Sequence, residues 1–212
     1  MDKNYWDKVY SKATIENDKS PFAEFCLSNF FLKNSSIFDI AGGNGRDSIY
    51  FYANDFNIHL IDQSVNEDFI KKRIMNLNKK SEHSFFIYKS NILEYEYGNT
   101  TSIDFFYLRW IIHAINSKEE EILLNNISKN LKFGGLICIE ARTINDHLFG
   151  VGKNLGNNSF YTDHFRRFID MNEFISKIKN YNLQCIYSSE SDGYSELKND
   201  NPVLMRVILK KI

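Results

Sequence analysis

Short apolar runs alternate along the chain with longer stretches whose apolar residues recur at helical spacing. Runs of the first kind predict strands at Ile37–Ile40, Ile58–Ile61, Ser84–Tyr88, Ile103–Leu108, Leu136–Glu140, Gln184–Ser189 and Val203–Leu209. The second kind predict helices near Asp47–Ala53, Glu67–Asn76, Lys118–Asn130 and Met171–Asn180. The clearest helix has an acidic first turn, with Ile122, Leu123, Ile127 and Leu131 on one face, and Gly134-Gly135 stops it ahead of the next strand. Strands alternating with crossover helices predict an α/β domain. Two regions break the alternation. Residues 1–35 read as a helical extension carrying Tyr5, Trp6, Val9 and Tyr10. Residues 143–170 read as a long polar insertion, with glycines and asparagines clustered in GVGKNLGNN, and loops of that length serve as lids or binding loops.

A chain of 212 residues suits one domain, here 1–212, with room for a sizeable core. Its formal net charge is −1, from 26 basic and 27 acidic residues mixed throughout, which argues against nucleic acid or an anionic membrane as partner. Cys26, Cys138 and Cys185 lie far apart with no CxxC pair, and no histidine pair has HxxxH spacing, so neither a disulfide framework nor a metal site is expected. The segment MDKNYWDKVYSK lacks the apolar centre of a signal peptide, and no apolar run reaches the ~18 residues of a membrane span. The expected location is the cytoplasm.

The richest local signal is FDIAGGNGRDS, residues 38–48. Asp39 ends an apolar run, and Ala41-Gly42-Gly43-Asn44-Gly45 turns into a helix, so a ligand can approach the backbone with a helix N-terminus behind it. Dinucleotide enzymes use a similar turn, but they carry a sixth-position glycine where Ser48 stands here. The next apolar run, HLIDQS, ends in Asp62, whose carboxylate can accept hydrogen bonds from both hydroxyls of a ribose; alone, it would read as a solvated strand end.

Together these stretches resemble the nucleoside-binding half of the class I S-adenosylmethionine-dependent methyltransferases, and the resemblance extends over nearly the whole chain. It implies a Rossmann-like, seven-stranded, mostly parallel sheet with an antiparallel last strand reached through GYSELKNDNPV, and helices on both faces. It also implies that S-adenosyl-L-methionine is the cofactor. Asp39, Ala41, Gly42, Gly43 and Gly45 would hold its amino-acid part, and Asp62 with Gln63 its ribose. Ala41 replaces the family's usual glycine, which costs little if its φ is negative. In KSNILEY, Asn91 matches the residue that contacts the adenine amine and Ile92 an apolar wall. In DFFYLRWIIHAI, the cluster at the fourth strand's end becomes Leu108, Arg109, Trp110 and His113. Leu108 would face the cofactor, and Arg109 and His113 are catalytic candidates, although His113 also suits a structural, hydrogen-bonded role. Tyr5, Trp6 and Tyr10 match a YWDxxY pattern that lids the cofactor; they would equally serve a helix packing aromatics on the core.

Methyl transfer chiefly requires alignment, and a hydroxyl acceptor needs a base as well. Arg142, Asp146, His147, Tyr161, His164, Arg166 and Arg167 concentrate in the insertion, with His164 the first choice of base and Arg142, His147, Tyr161, Arg166 and Arg167 as acceptor contacts. The run HFRRF resembles methyltransferases of capsule and surface-polysaccharide biosynthesis, some acting on sugars or sugar nucleotides and others on phosphoramidates. The resulting expectation is an O-methyltransferase, monomer or homodimer, for a small polar acceptor that is anionic or carbohydrate-linked. Alternatives are an N-, thiol or metalloid methyltransferase, or a cofactor-binding regulatory subunit.

Overall fold

The computed structural model describes residues 3–10, 18–77, 82–97, 103–196 and 200–212. Two helices come first, α1 (Lys3–Tyr10) and α2 (Pro21–Asn29). The alternating core follows as β1 (Ser36–Ile40), α3 (Arg46–Ala53), β2 (Asn57–Ile61), α4 (Glu67–Met75), β3 (Phe85–Tyr88), β4 (Ile103–Arg109), α5 (Ser117–Asn130) and β5 (Leu131–Arg142). After the insertion come α6 (Met171–Lys177), β9 (Leu183–Ser191) and β10 (Leu204–Lys211). Parts of two expected features, 11–17 in the N-terminal extension and 197–199 in the link before the last strand, lie outside the described residues.

The main sheet has seven strands in the order β3-β2-β1-β4-β5-β10-β9. Strands β1 to β5 pair in parallel, and β10 runs antiparallel to both β5 and β9. Because β1 is central and covered on both sides, its residues after Ser36 are all buried and show no polar alternation. The strand's two faces feed two apolar layers. Phe38, Ile40, Phe106 and Leu108 pack towards α5 and α6 through Leu123, Ile127 and Phe174. Ile37, Leu60, Phe105 and Tyr107 pack towards α2, α3 and α4 through Phe22, Phe51 and Ile70. Helices therefore cover both faces, as the alternating pattern required.

Helix α5 starts at a reciprocal cap: Glu119 N donates to Asn116 Oδ1 at 3.0 Å, and Asn116 N donates to Glu119 Oε2 at 2.9 Å. Its buried stripe is Glu120, Leu123, Leu124, Ile127 and Ser128, whereas Ile122 is 40% exposed. The inward place that periodicity assigned to Ile122 is taken by Glu120, whose charge is matched by Arg167 and Lys177. Nor do Gly134-Gly135 end this helix. It ends at Asn130, and the glycines lie where the β4–β5 register jumps from Ile103↔Leu131 to Phe105↔Leu136.

The insertion is not an open loop. It folds into a three-stranded sheet, β6 (Lys153–Gly156), β7 (Ser159–Tyr161) and β8 (Phe165–Arg167), around the rings of Phe149, Phe160 and Phe168. Its two ends are tied together at the root, where Ile169 N donates to Arg142 O and Ile144 N to Ile169 O. Among the described residues no helix is long and apolar enough to cross a membrane.

Candidate cofactor and acceptor site

At the carboxyl ends of β1, β2 and β4 lies a cavity of about 310 Å³. Asp39, Ala41, Gly42, Asp62, Gln63 and Arg109 are among its walls, and Trp6 and Tyr10 of α1 close one side. A parallel sheet leaves such a crevice where neighbouring strands connect to opposite faces, here between β1 and β4.

The turn after β1 is built tightly. A Cβ on Gly42 would stand 2.2 Å from Leu60 Cδ1 and 2.6 Å from Asp39 Oδ2, so only glycine fits. Gly45, at φ +72°, caps α3 in the left-handed region. Ala41 also lies there, at φ +60°. The condition under which alanine would be harmless is therefore not met, because its Cβ crowds its own backbone. Ala41→Gly is expected to stabilise the protein by about 1 kcal/mol, raising Tm by roughly 2–4 °C. An unchanged or lower Tm by calorimetry would show that the side chain's burial outweighs the strain.

Asp62 knits the end of β2 to this turn. Its Oδ2 accepts from Gly43 N at 3.0 Å and its Oδ1 from Ser64 N at 2.6 Å, while burial raises its pKa against those two donors. Asp39 is more enclosed, with Ser48 Oγ donating to its Oδ2 at 2.5 Å. Burial above all, with the nearby Asp47 and Asp62 charges, pushes its pKa up to about 7. The folded state thus binds this proton more tightly than the unfolded state, so Asp39 lowers stability progressively as pH rises from about 3.8 to about 7. Asp39→Asn is expected to gain thermal stability over the native chain between pH 5 and pH 8. A difference independent of pH in paired melting curves would show that Asp39 does not titrate there.

Asp47, in the first turn of α3, accepts from Ser20 N (2.7 Å), Ser20 Oγ (2.8 Å) and Tyr107 Oη (2.9 Å), anchoring the start of α2 to the cavity floor. Arg109 opposes these carboxylates. Its Nε donates to Glu140 Oε1 at 3.2 Å, its Nη2 to Ser195 Oγ at 2.9 Å, and its guanidinium sits 4.7 Å from the Trp110 ring centre. Burial works against its charge, but Glu140 and Asp47 more than offset that, so it stays protonated. Trp110, at φ +62°, is a bulky side chain in the left-handed region. It is held from two points of one residue: its N donates to Glu140 O at 2.8 Å and its Nε1 to Glu140 Oε1 at 3.2 Å.

Other candidates lie elsewhere. Leu108 is fully buried on the opposite face of β4, since the strand's alternation turns Tyr107 and Arg109 to the cavity instead. Ile92 belongs to the core, and Asn91 is turned onto its own turn, donating to Glu94 Oε1 and accepting from Leu93 N. His113 is buried, and its Nδ1 accepts from Arg142 N at 3.1 Å, which puts the ring proton on Nε2. Burial, then the charges of Arg142 and Arg166, hold its pKa well below the usual range, so it is a neutral structural histidine.

Arg142 and Arg167 are buried structural ties, not open acceptor contacts. Arg142 donates to both oxygens of Asp146 at 3.0 Å and pairs with Asp200. Arg167 donates to the carbonyls of Ile115 and Ile112 and pairs with Glu120, fastening the insertion to α5. His147 is half-exposed beside Asp146 and Asp200, and Tyr161 is 43% exposed on β7. Only His164 and Arg166 meet α1's neighbourhood. The His164 ring stacks on Tyr5 at 4.1 Å and meets Trp6 edge-on at 5.7 Å, its Nδ1 is 3.0 Å from Asp163 Oδ1, and Tyr5 Oη donates to Asp163 Oδ2 at 3.2 Å. Arg166 joins the same Asp163 at 3.0 Å. At α1's other end, Tyr10 Oη lies only 2.3 Å from where a Gly43 Cβ would stand.

No protein-family model matches the chain, and no curated protein sequence does. Among solved structures it is similar to an S-adenosylmethionine-dependent methyltransferase of Methanosarcina mazei, at 18% identity and TM-score 0.73, over 88% of this chain and 96% of that one. The fold is that of the class I methyltransferases. Magnesium protoporphyrin IX methyltransferase of Synechocystis PCC 6803, solved with S-adenosylhomocysteine, shares it at 7% identity and TM-score 0.70, over 99% and 93% of the two chains. So does the 1,6-didemethyltoxoflavin-N1-methyltransferase of Burkholderia thailandensis, at 11% identity and TM-score 0.69, over 90% and 76%.

Within this methyltransferase fold, sequence reasoning missed Asp47, Tyr107 and Glu140. Asp47 and Tyr107 had a signal: one opens the helix behind the glycine turn, and the other shares a strand face with Arg109. Glu140 had none, because its partners Arg109 and Arg206 are distant in sequence and meet only across β4, β5 and β10.

Proposed function

We propose that the protein is an S-adenosylmethionine-dependent O-methyltransferase for a small polar acceptor, anionic or carbohydrate-linked. The observation that carries this reading is the cavity at the β1 turn, where a buried acid (Asp39), a glycine cradle and a second acid at the end of β2 (Asp62) converge on one ligand-sized space. The cofactor's groups match the donors and acceptors present. Asp39 would take its ammonium, Arg109 its carboxylate, and Asp62 its ribose hydroxyls. Gln63 Nε2, buried at the wall with no hydrogen-bond partner among the described residues, would gain one. Arg109 is thereby a positioning group, since a guanidinium that stays protonated neither takes up nor gives up a proton in the reaction.

The cofactor supplies a methyl group already activated by its sulfonium. With Asp39, Arg109 and Asp62 holding the cofactor, that methyl would pass to the acceptor oxygen, the electron pair of the broken carbon–sulfur bond remaining on sulfur. The proton of a hydroxyl acceptor goes to His164 in this reading, and the Asp163 carboxylate, 3.0 Å from its Nδ1, favours the imidazolium that forms. The HFRRF run supports a surface-polysaccharide precursor, such as a sugar nucleotide or phosphoramidate, as the acceptor, and a cytoplasmic setting follows from that.

The test is transfer of labelled methyl from S-adenosylmethionine into panels of nucleotide sugars, phosphoramidates and small organic acids. A methylated hydroxyl product, with rates reduced about 100-fold or more in His164→Ala, is the expected result. Product methylated on nitrogen would overturn the O-methyl assignment, and undiminished rates in the variant would remove His164 as base. Cofactor binding is also expected to tighten as pH rises through about 7, as Asp39 ionises.

A further inference from the structure

The insertion encloses a second cavity, of about 250 Å³, separate from the one at the glycine turn. Its walls are Leu148, Val151, Phe160 and Phe168 on the apolar side and Thr162, Asp163 and Arg166 on the polar side, with Arg166 the one cation and Asp163 its counter-ion. Arg166 hydrogen-bonds through Nη1 alone, to Thr162 Oγ1 at 2.6 Å and Asp163 Oδ1 at 3.0 Å. Its Nε and Nη2 have no hydrogen-bond partner among the described residues, and its side chain is only 18% exposed. A planar donor fork with two unspent nitrogens beside phenyl walls suits an oxyanion carried on an apolar body.

The two cavities share a partition. Trp6 lines the first, Asp163 lines the second, and between them Tyr5 and Trp6 pack on His164 while Tyr5 Oη donates to Asp163. His164 therefore lies in the wall between the two cavities, packed on the α1 side by Tyr5 and Trp6.

We infer that this second cavity is the acceptor's anchoring pocket, and that it selects a small apolar carboxylate, aromatic or short-chain aliphatic, by packing its body on Phe160 and Phe168 and its anion on Arg166. The inference rests on the methyltransferase reading; of the two acceptor classes proposed above it takes the anionic one and excludes the carbohydrate-linked one. It also separates two neighbouring arginines: Arg167 is consumed by Glu120 and two carbonyls, and Arg166 is the one with donors to offer.

The test uses the full chain and three probes, benzoate, benzyl alcohol and glucose 1-phosphate, followed by NMR at the methyls of Leu148 and Val151 and the ring of Phe160. Benzoate is expected to give saturable shifts there, at least tenfold tighter than benzyl alcohol. Arg166→Gln should weaken benzoate at least tenfold, and Val151→Trp, which fills the pocket from its exposed rim, should abolish the shifts. Absence of saturable shifts, equal affinity for the neutral alcohol, or an Arg166→Gln variant that binds like the native chain would overturn the proposal. So would glucose 1-phosphate binding more tightly than benzoate. A parallel calorimetric titration with S-adenosylhomocysteine keeps the two readings apart. Cofactor binding without benzoate binding sinks the pocket alone, whereas benzoate binding without cofactor binding sinks the reading of the first cavity.

Discussion

Asp62→Ala is expected to weaken S-adenosylhomocysteine binding about 100-fold or more by calorimetry. Two hydrogen bonds from ribose hydroxyls to a carboxylate contribute about 1.5–3 kcal/mol each, and 1.4 kcal/mol corresponds to a factor of ten. The loss has a second origin in this chain. Asp62 also accepts from Gly43 N and Ser64 N, so its removal frees the glycine turn as well as removing the proposed ribose contact. Asp62→Asn keeps the shape but not the charge and should fall between the two. Unchanged affinity in the alanine variant would mean that the cofactor does not reach the end of β2, and the proposed orientation would fail.

Glu140→Ala is expected to cost about 3–5 kcal/mol of folding stability, a large part of the ~5–15 kcal/mol that holds a domain of this kind together. Glu140 is fully buried and serves two arginines, accepting from Arg109 Nε and Trp110 Nε1 on one oxygen and from Arg206 Nε, at 2.9 Å, on the other. Arg206 is further packed against Phe22, Phe25 and Tyr194. Without the carboxylate, two largely buried cations lose their shared counter-ion, and the left-handed backbone of Trp110 loses its side-chain tether. The urea midpoint should drop sharply, with soluble yield. A midpoint within a few tenths molar of the native one would show that water reaches the arginines and takes over the role of Glu140.

These residues also mark how far the sequence can be read. The strands were legible because a central parallel sheet is covered on both faces and so draws on short, mostly apolar runs, which SIFDI and NIHLI are despite Asp39 and His59. The glycine turn was legible because Gly42 has no alternative: a side chain there would collide with Leu60. Short-range acidic caps, such as Asn116–Glu119, follow from spacing alone. Legibility ends where a side chain's partner is remote. Arg142 and Arg167 look like open, substrate-binding arginines in the string EARTINDHLFG…HFRRF, yet Asp200 and Glu120 claim them in the fold. Arg142 did carry a warning, because Asp146 stands one helical turn away in sequence. The small sheet of the insertion left no trace because β6, KNLG, is exposed throughout, and β7 and β8 are too short to show a period. Leu108 was misjudged for a simpler reason: alternation along β4 had to be counted from the buried pair Phe106 and Leu108, and the cavity then falls to Tyr107 and Arg109.

The place of β10 in the sheet has a consequence for how the chain reaches this state. In sequence it follows every other strand, but in space it lies between β5 and β9, antiparallel to both. Until residues 204–211 are made and released from the ribosome, β5 presents an unpaired edge and β9 has nothing to join. Exposed edges of that sort template association between chains. The same strand delivers Arg206, so the charge cluster at Glu140 is incomplete for as long as the edge is open. A chain cut short before Leu204 would keep that edge of β5 open permanently and is expected to self-associate.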